Sequence, residues 1–361
     1  MKTDLSSASA RPSSASESLV VGVDFGGTQI RAALARNGEI LTRVGYLTRS
    51  EEGFEPVLER LKESIRQAVA QGNVTLQQVG GIGFCAPGPL DSHTGVLYDP
   101  PNLRSWHNVP IKRILEDEFK VPVHVGNDAN LAGLGEYMYG AGRGLRDMIY
   151  VTVSTGIGGG IIIDGKILEG ISGTAGEVGH MTIDMHGPVC NCGNIGCVEA
   201  IASGTAIARQ AAAAIAAGRG GGILAQLPAY QADPHKDIAG RSAAELGAAP
   251  PLHLELEVDA RLVVKAAEAG DPVARQIIDD AATAIGVAMV NLIHLFNPQM
   301  IVIGGGVSKA GDLLFGPIQR VVNQRAMRVP AQAVKIVPAA LGENVGLIGA
   351  AAYVIYHEAG E

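Results

Sequence analysis

Leu19-Val-Val-Gly-Val-Asp24-Phe-Gly-Gly-Thr28-Gln-Ile30-Arg-Ala-Ala-Leu-Ala35 is the stretch that decides the fold. Leu19 to Asp24 is a short apolar run that predicts a strand, and Phe25-Gly-Gly-Thr28 turns the chain. Ile30 to Ala35 predicts a second strand, and Asn37-Gly38 is a hairpin turn into a third. In a dinucleotide-binding fingerprint a helix follows the glycines; here a strand does. Backbone N–H groups exposed at Gly26, Gly27 and Thr28 can cradle phosphate oxygens, and Asp24 can hold Mg²⁺ through water. A plain hairpin turn with Asp24 as its local cap is the alternative.

The same pattern recurs downstream. Met148 to Val153 predicts a strand, and Ser154 to Gly160 a glycine-rich turn containing Thr155, Gly156, Gly158 and Gly159. Gly160 to Ile163 predicts the next strand, which Asp164-Gly165 turns into Lys166-Ile167-Leu168. Two copies of strand, Gly/Thr turn and strand predict a duplicated domain with two phosphate loops. Between and after them, periodicity predicts a helix over 55–71 and strands over Val79–Cys85 and Val121–Val125. A helix is expected over Leu131–Tyr139, another from Asp271-Pro272 to about Phe296, and a last one from Val345 to about His357. Met300 to Ile303 predicts a strand running into Gly304, Gly305 and Gly306. Those glycines would let a flat ligand such as adenine approach the backbone, and a helix-start turn explains them equally well.

Composition bounds the function. With 361 residues the chain can hold two cores, since single cores stop growing at roughly 250–300 residues. A net charge of −8 argues against a general nucleic-acid or membrane-surface binder, because both partners are polyanionic. Ala281 to Phe296 is interrupted by Asn291 and His294 and is shorter than the roughly 20 apolar residues that span a bilayer. It reads as a buried helix. Residues 1–18, rich in Ser and Ala, read as a disordered tail without a signal peptide, and a cytoplasmic location is expected. The Gly-, Ala- and Pro-rich 219–252 segment reads mainly as an insertion or long loop.

Three of the four cysteines, Cys190, Cys192 and Cys197, follow His180 closely. Three thiolates and one imidazole complete a tetrahedral zinc site and leave no position for a catalytic water. The alternative is unpaired cysteines in a flexible loop. Gly193 and Gly196 supply the tight turns that a chain wrapping a metal requires.

Gly126-Asn127-Asp128-Ala-Asn130 follows an apolar strand. An Asp at such a strand end can accept a hydroxyl proton during phosphoryl transfer, or Asn127 or Asp128 can simply cap the next helix. Pro101 to Trp106 reads as a loop, and Glu177 and Glu199 bracket the metal motif as either site or surface carboxylates. Cys85 reads as a core residue.

These pieces in this order, from about Val20 to Tyr356, resemble the ROK family of repressors, open-reading-frame proteins and sugar kinases. The most specific element is Glu177-Val-Gly-His180 followed by Cys190-Asn-Cys-Gly-Asn-Ile-Gly-Cys-Val-Glu199, similar to the family's zinc and sugar signature. Asp24 to Thr28, Thr155 to Gly160 and Ile303 to Ser308 are similar to the phosphate and adenosine motifs of the actin-like ATPase fold. The resemblance implies an α/β, two-domain, ribonuclease H-like architecture with an interdomain active-site cleft and a structural zinc loop. Its small domain would take 19–127 plus 345–361, and its large domain 128–344 with the zinc site. It further implies sugar contacts from Asn102, Asn127, Asp128, Glu177, His180 and Glu199, with Asp128 as catalytic base. ATP, Mg²⁺ and a structural Zn²⁺ follow, as does a homodimer or higher homo-oligomer without nucleic-acid or membrane partners. The implied activity is that of an ATP-dependent glucokinase. Kinases of N-acetylmannosamine, N-acetylglucosamine or fructose are the alternatives, and a non-catalytic sugar-responsive regulator is a more distant one. For the regulator, the segment before Leu19 is too short to hold a winged helix.

Overall fold

The structure is a computed structural model that describes residues 18–100, 102–103, 105–227 and 258–360. It divides into two compact units. The first runs to Arg143 and adds Glu169–Thr174 and Glu343–Glu361; the second holds Gly144–Leu168 and Ala175–Gly342.

In the first unit, strands β1 (Leu19–Phe25), β2 (Gln29–Arg36) and β3 (Glu39–Leu47) form an antiparallel meander. Asn37 and Gly38 adopt positive φ at its second turn, as a two-residue hairpin demands. Helix α1 (Phe54–Gln71) packs Val57, Leu61, Ile65 and Val69 onto this sheet. Strand β4 (Val79–Ala86) then returns parallel to β1. After a small hairpin of β5 (Leu90–Asp91) and β6 (Val96–Leu97), helix α2 (Ile111–Phe119) leads to β7 (Val123–Asn127), parallel to β4. The sheet order is β3-β2-β1-β4-β7. Helix α3 (Asp128–Tyr139) and the C-terminal helix Val345–Glu358 cover the second face.

That C-terminal helix lies backbone against backbone. A Cβ on Gly22 would collide with the Leu347 carbonyl, and one on Gly83 with that of Ala350. Glycine is therefore a requirement of helix–sheet contact at these two strand positions. The opposite face carries an aromatic cluster. Trp106 is fully buried, with its ring 4.7 Å from Phe25 and 5.1 Å from Phe54. The segment read from sequence as a loop is thus pinned to the core by burial worth about 2–3 kcal/mol.

Domain boundaries were expected at 127/128, whereas the first unit continues to Arg143 because α3 packs along the C-terminal helix. Glu169 also belongs to this unit, where its carboxylate accepts the Tyr353 hydroxyl at 2.7 Å.

The second unit repeats the arrangement. Strands β8 (Met148–Val153), β9 (Ile157–Ile163) and β10 (Lys166–Ile167) form the meander, with Asp164 and Gly165 at positive φ in its last turn. Strands β11 (Met300–Gly304) and β12 (Lys335–Pro338) add in parallel, for the order β10-β9-β8-β11-β12. Position by position this matches the first sheet, as the duplicated sequence pattern predicts.

Short helices α4 (Val198–Ala202), α5 (Gly204–Ala216) and α6 (Gly221–Leu224) follow the cysteine loop. Next come α7 (Ala260–Glu268), α8 (Pro272–Phe296), α9 (Asp312–Arg325) and α10 (Arg328–Ala333). The Asp271 side chain caps α8 by accepting the Ala274 N–H at 2.7 Å, and Pro272 occupies the first turn, where its missing N–H is harmless. Although α8 is long and apolar enough to cross a membrane, 67% of its most apolar window is buried within the protein. The expected insertion over 219–252 is corrected at its start, where α6 buries Ile223 and Leu224. Residues 228–252 of it, and 1–17 of the expected tail, lie outside the described residues.

Candidate functional site

In the first unit, β1, β4 and β7 run parallel, and their C-terminal ends carry the predicted residues side by side. Asp24 is level with Cys85, Cys85 with Gly126, and Ala86 with Asn127. Such an edge is where open α/β sheets bind ligands, because the strand ends and following turns leave backbone N–H groups unpaired there. Asp24 is held by an ion pair to Arg31, which stands directly opposite it on β2. The following turn is closed by the Gly26 N–H donating to Gln29 O at 2.9 Å. From β3's end, the Thr48 N–H donates to Thr28 O at 2.9 Å and the Thr48 hydroxyl to Gly26 O at 2.6 Å. A Cβ at Gly27 would strike Asn102, so the glycine lets Asn102, expected as a sugar ligand, lie against the turn expected to bind phosphate. Gly27, Thr28 and Asn102 line one cavity of about 650 Å³ together with Ser50, Glu51, Gly53 and Ser105.

The capping reading of Asn127-Asp128 holds for Asn127. Asn127 is the helix cap, its Oδ1 accepting from the Ala129 N–H at 3.0 Å and the Asn130 N–H at 3.4 Å. Asp128 is exposed in the first turn of α3, its Oδ1 accepting from the Ala129 N–H at 2.7 Å. Cys85 is buried between these carboxylates; burial, then Asp24 and Asp128, push its thiol well above the usual range. It is a core residue, as read.

In the second unit the donor atoms of His180, Cys190, Cys192 and Cys197 all lie within 4.8 Å of one another. Cys192 Sγ is 3.8 Å from Cys197 Sγ, and Cys190 Sγ is 3.7 Å from His180 Nδ1. Tetrahedral zinc with bonds of about 2.3 Å to sulfur sets sulfurs about 3.8 Å apart, so the donor set fits a closed metal site. Without a cation, burial and the two neighbouring thiols push Cys197 up to about 12. A bound dication would reverse that by stabilising the thiolates. Gly196, at φ 69°, is required twice, since any Cβ there would also strike the Asp184 carbonyl. With Nδ1 turned to the cysteines, the other ring nitrogen of His180 lies 3.9 Å from Glu177.

The second glycine turn is shorter than predicted. It consists of Ser154, Thr155 and Gly156, whereas Gly158 and Gly159 pair with Thr152 and Val151 inside β9. The turn expected over Ser154–Gly160 is corrected in its extent, because β9 already begins at Ile157. Gly159 is small because a Cβ would press on Val178 at 2.7 Å. The exposed turn is fastened from α5: the Gly204 N–H donates to Ser154 O at 2.7 Å and the Thr205 hydroxyl to Thr155 O at 2.8 Å. Glu199 supports it as well, accepting the Ile157 N–H at 2.9 Å.

The Gly304–Gly306 run divides similarly. Gly304 ends β11 under the Tyr150 ring, and Gly305 has φ 86° with the Val153 carbonyl beside it. Packing accounts for both. Gly306 opens a short 3-10 helix, Val307–Ala310, as the helix-start reading expected, and a Cβ there would meet only Ser154 Oγ, at 3.9 Å.

The ROK family model matches residues 20–357. The chain belongs to the ROK family.

It is 37% identical over 331 residues to a glucokinase of Halalkalibacterium halodurans, covering 91% of this chain and 92% of that one. It is 32% identical to a putative xylose repressor of a Caldicellulosiruptor species, covering 93% of this chain and 78% of the repressor. Among solved structures, it superposes with a TM-score of 0.73 on a ROK family glucokinase from Streptomyces griseus in complex with glucose and AMPPNP. There the identity is 32%, over 92% of this chain and 98% of that one.

In this ROK protein the predicted residues form two groups. Asp24, Gly26, Gly27, Thr28, Asn102, Asn127 and Asp128 belong to the first unit, and the remainder to the second. Sequence reasoning missed Arg31, Ser50, Glu51 and Ser105. Only Arg31 had a local signal: the hairpin register sets it opposite Asp24. It also missed that Glu199 reaches the second turn, a contact across 42 residues.

Proposed function

We propose that this chain is an ATP-dependent glucokinase, transferring the γ-phosphoryl group of ATP to the 6-hydroxyl of glucose. One observation carries the reading: an exposed carboxylate, Asp128, stands at the parallel-strand edge beside a phosphate-type turn, in a chain matching glucokinases over nine-tenths of its length. Asp128 would accept the hydroxyl proton as that oxygen forms its bond to the γ-phosphorus. The bond from that phosphorus to the β,γ-bridging oxygen breaks, and ADP leaves. The Gly26–Thr28 and Ser154–Gly156 turns would offer backbone N–H groups to the phosphates. Asp24 fits a water-mediated Mg²⁺ ligand, and the ion would neutralise phosphate charge.

Asn102, Asn127, Glu177 and His180 are the proposed sugar ligands. His180, Cys190, Cys192 and Cys197 would hold zinc as a scaffold, which fixes the tautomer and direction of the His180 ring. The likeness to xylose repressors favours a second reading, a sugar-responsive regulator without turnover. Asp128 argues against it, since binding alone needs no base. The proposed setting is the cytoplasm and the proposed assembly a homo-oligomer, which sedimentation velocity would measure.

A coupled ADP-release assay over a panel of glucose, N-acetylmannosamine, N-acetylglucosamine and fructose tests the reading. Glucose should give the highest kcat/KM. ADP release indifferent to every sugar would remove the kinase assignment.

A further inference from the structure

Glu199 does something that its place beside the cysteine loop does not announce. It lies in the first turn of α4, two residues after Cys197, which is that helix's N-cap. From there one carboxylate oxygen, Oε2, accepts the Ile157 N–H at 2.9 Å, while Oε1 faces Cys190 Sγ at 4.0 Å. Ile157 is the first residue after the Ser154–Gly156 turn, and its N–H would otherwise point from the strand end with no ladder partner to satisfy it. Space is arranged to match. A Cβ at Gly156 would come within 2.5 Å of Oε2, so the carboxylate fills the volume that a side chain on the turn would need.

The geometry points to Glu199 as a positioning residue for the nucleotide-phosphate turn, linking that turn to the metal-binding loop. This rests on the kinase reading of the Ser154–Gly156 turn and changes the role of Glu199 from a sugar contact alone. Thr155 and Gly156 are held from two sides: α5 grips the carbonyls of Ser154 and Thr155, and Glu199 fixes the amide that follows. A turn fixed in this way presents its remaining N–H groups without reordering when phosphate arrives, which lowers the entropic cost of binding. Because α4 starts at a metal ligand, loss of the ion would loosen Glu199 and the turn with it.

Three variants of the full, metal-loaded chain separate reach from charge. Glu199→Gln keeps an oxygen at the same reach, Glu199→Asp keeps the charge but withdraws it by one methylene, and Glu199→Ala removes both. AMPPNP with Mg²⁺ is titrated calorimetrically without sugar, metal content is verified, and hydrogen exchange of the 152–160 segment is followed. Asp and Ala should weaken AMPPNP by about tenfold and speed exchange at that segment, whereas Gln should stay within about twofold of wild type. If Ala does not fold, the Asp and Gln pair carries the same contrast. Wild-type AMPPNP affinity in the Asp variant, with only glucose affinity reduced, would overturn the proposal. Loss of AMPPNP affinity in Gln with wild-type affinity in Asp would overturn it too, since charge and not reach would then matter. A wild type that binds no AMPPNP yet shows the exchange difference would instead remove the nucleotide reading of the turn.

Discussion

Arg31 closes on the carboxylate of Asp24 from the position directly opposite on the neighbouring strand, with both side chains about one-fifth exposed (21%). Its other terminal nitrogen donates at 3.0 Å to the carbonyl of Glu343, just before the C-terminal helix. One cation therefore offsets the proposed Mg²⁺ ligand and ties the start of that helix to the sheet edge.

Removing the guanidinium leaves Asp24 without its partner and the Glu343 carbonyl without its donor. Arg31→Ala should cost about 1–2 kcal/mol, after allowing for solvent screening of a partly exposed pair. A thermal melt should show the midpoint several degrees lower. An unchanged midpoint would mean that water replaces the guanidinium without loss.

Asp128→Asn should reduce kcat by about 10²–10⁴-fold, the usual contribution of a general base. Stability should be unchanged, because Asn127 supplies the cap of α3. Glucose affinity, measured by calorimetry, should stay within a few-fold. Near-wild-type turnover would rule Asp128 out as the base.

Stripping metal with a chelator should unfold the cysteine loop locally and weaken glucose binding at least tenfold. The loop leaves Met185, Val189 and Ile195 exposed, so little apolar burial stands behind it and the ion must supply the folding energy. Limited proteolysis should cut within 181–197 only in the stripped protein, and zinc should restore resistance. Equal resistance in both forms would show that the loop holds itself.

His124 gives an acid limb. It stacks on His357 at 4.3 Å, and burial, followed by the charges of His357 and Lys112, lowers it from 6.5 to about 4. The unfolded chain takes up a proton at pH 6.5 that the folded chain refuses until about pH 4. Its contribution to stability is therefore complete above pH 6.5 and is lost as pH falls from 6.5 towards 4. The effect is about 1–2 kcal/mol once the half-solvated ring is allowed for. His124→Phe keeps the stack and should flatten the fall in melting temperature over that window. Parallel curves for wild type and variant would assign the acid limb to other groups.

Local chemistry explains what could be read in advance. The Asn37-Gly38 and Asp164-Gly165 turns need only two adjacent residues that tolerate positive φ, and both appear where expected. The α8 start is written in Asp271-Pro272, and the helix begins there. Where reading failed, a distant partner decided. Gly158 and Gly159 look like loop glycines, but pairing with β8 draws them into a strand. Helix α3 looks like the opening of a second domain, and packing on a helix more than two hundred residues later retains it in the first unit.

By itself, then, the sequence determined the metal donor set, the two strand-turn-strand repeats and the carboxylate after β7. Each depends on residue type and short spacing, and needs no knowledge of what packs nearby. Tertiary structure alone decided which glycines lie in turns and which make room for neighbours, and which cation answers Asp24. It also decided that Glu199 reaches back to the Ile157 amide. Excluded volume and hydrogen-bond reach settle these matters, and both are set by chain segments that meet only once the sheets have formed.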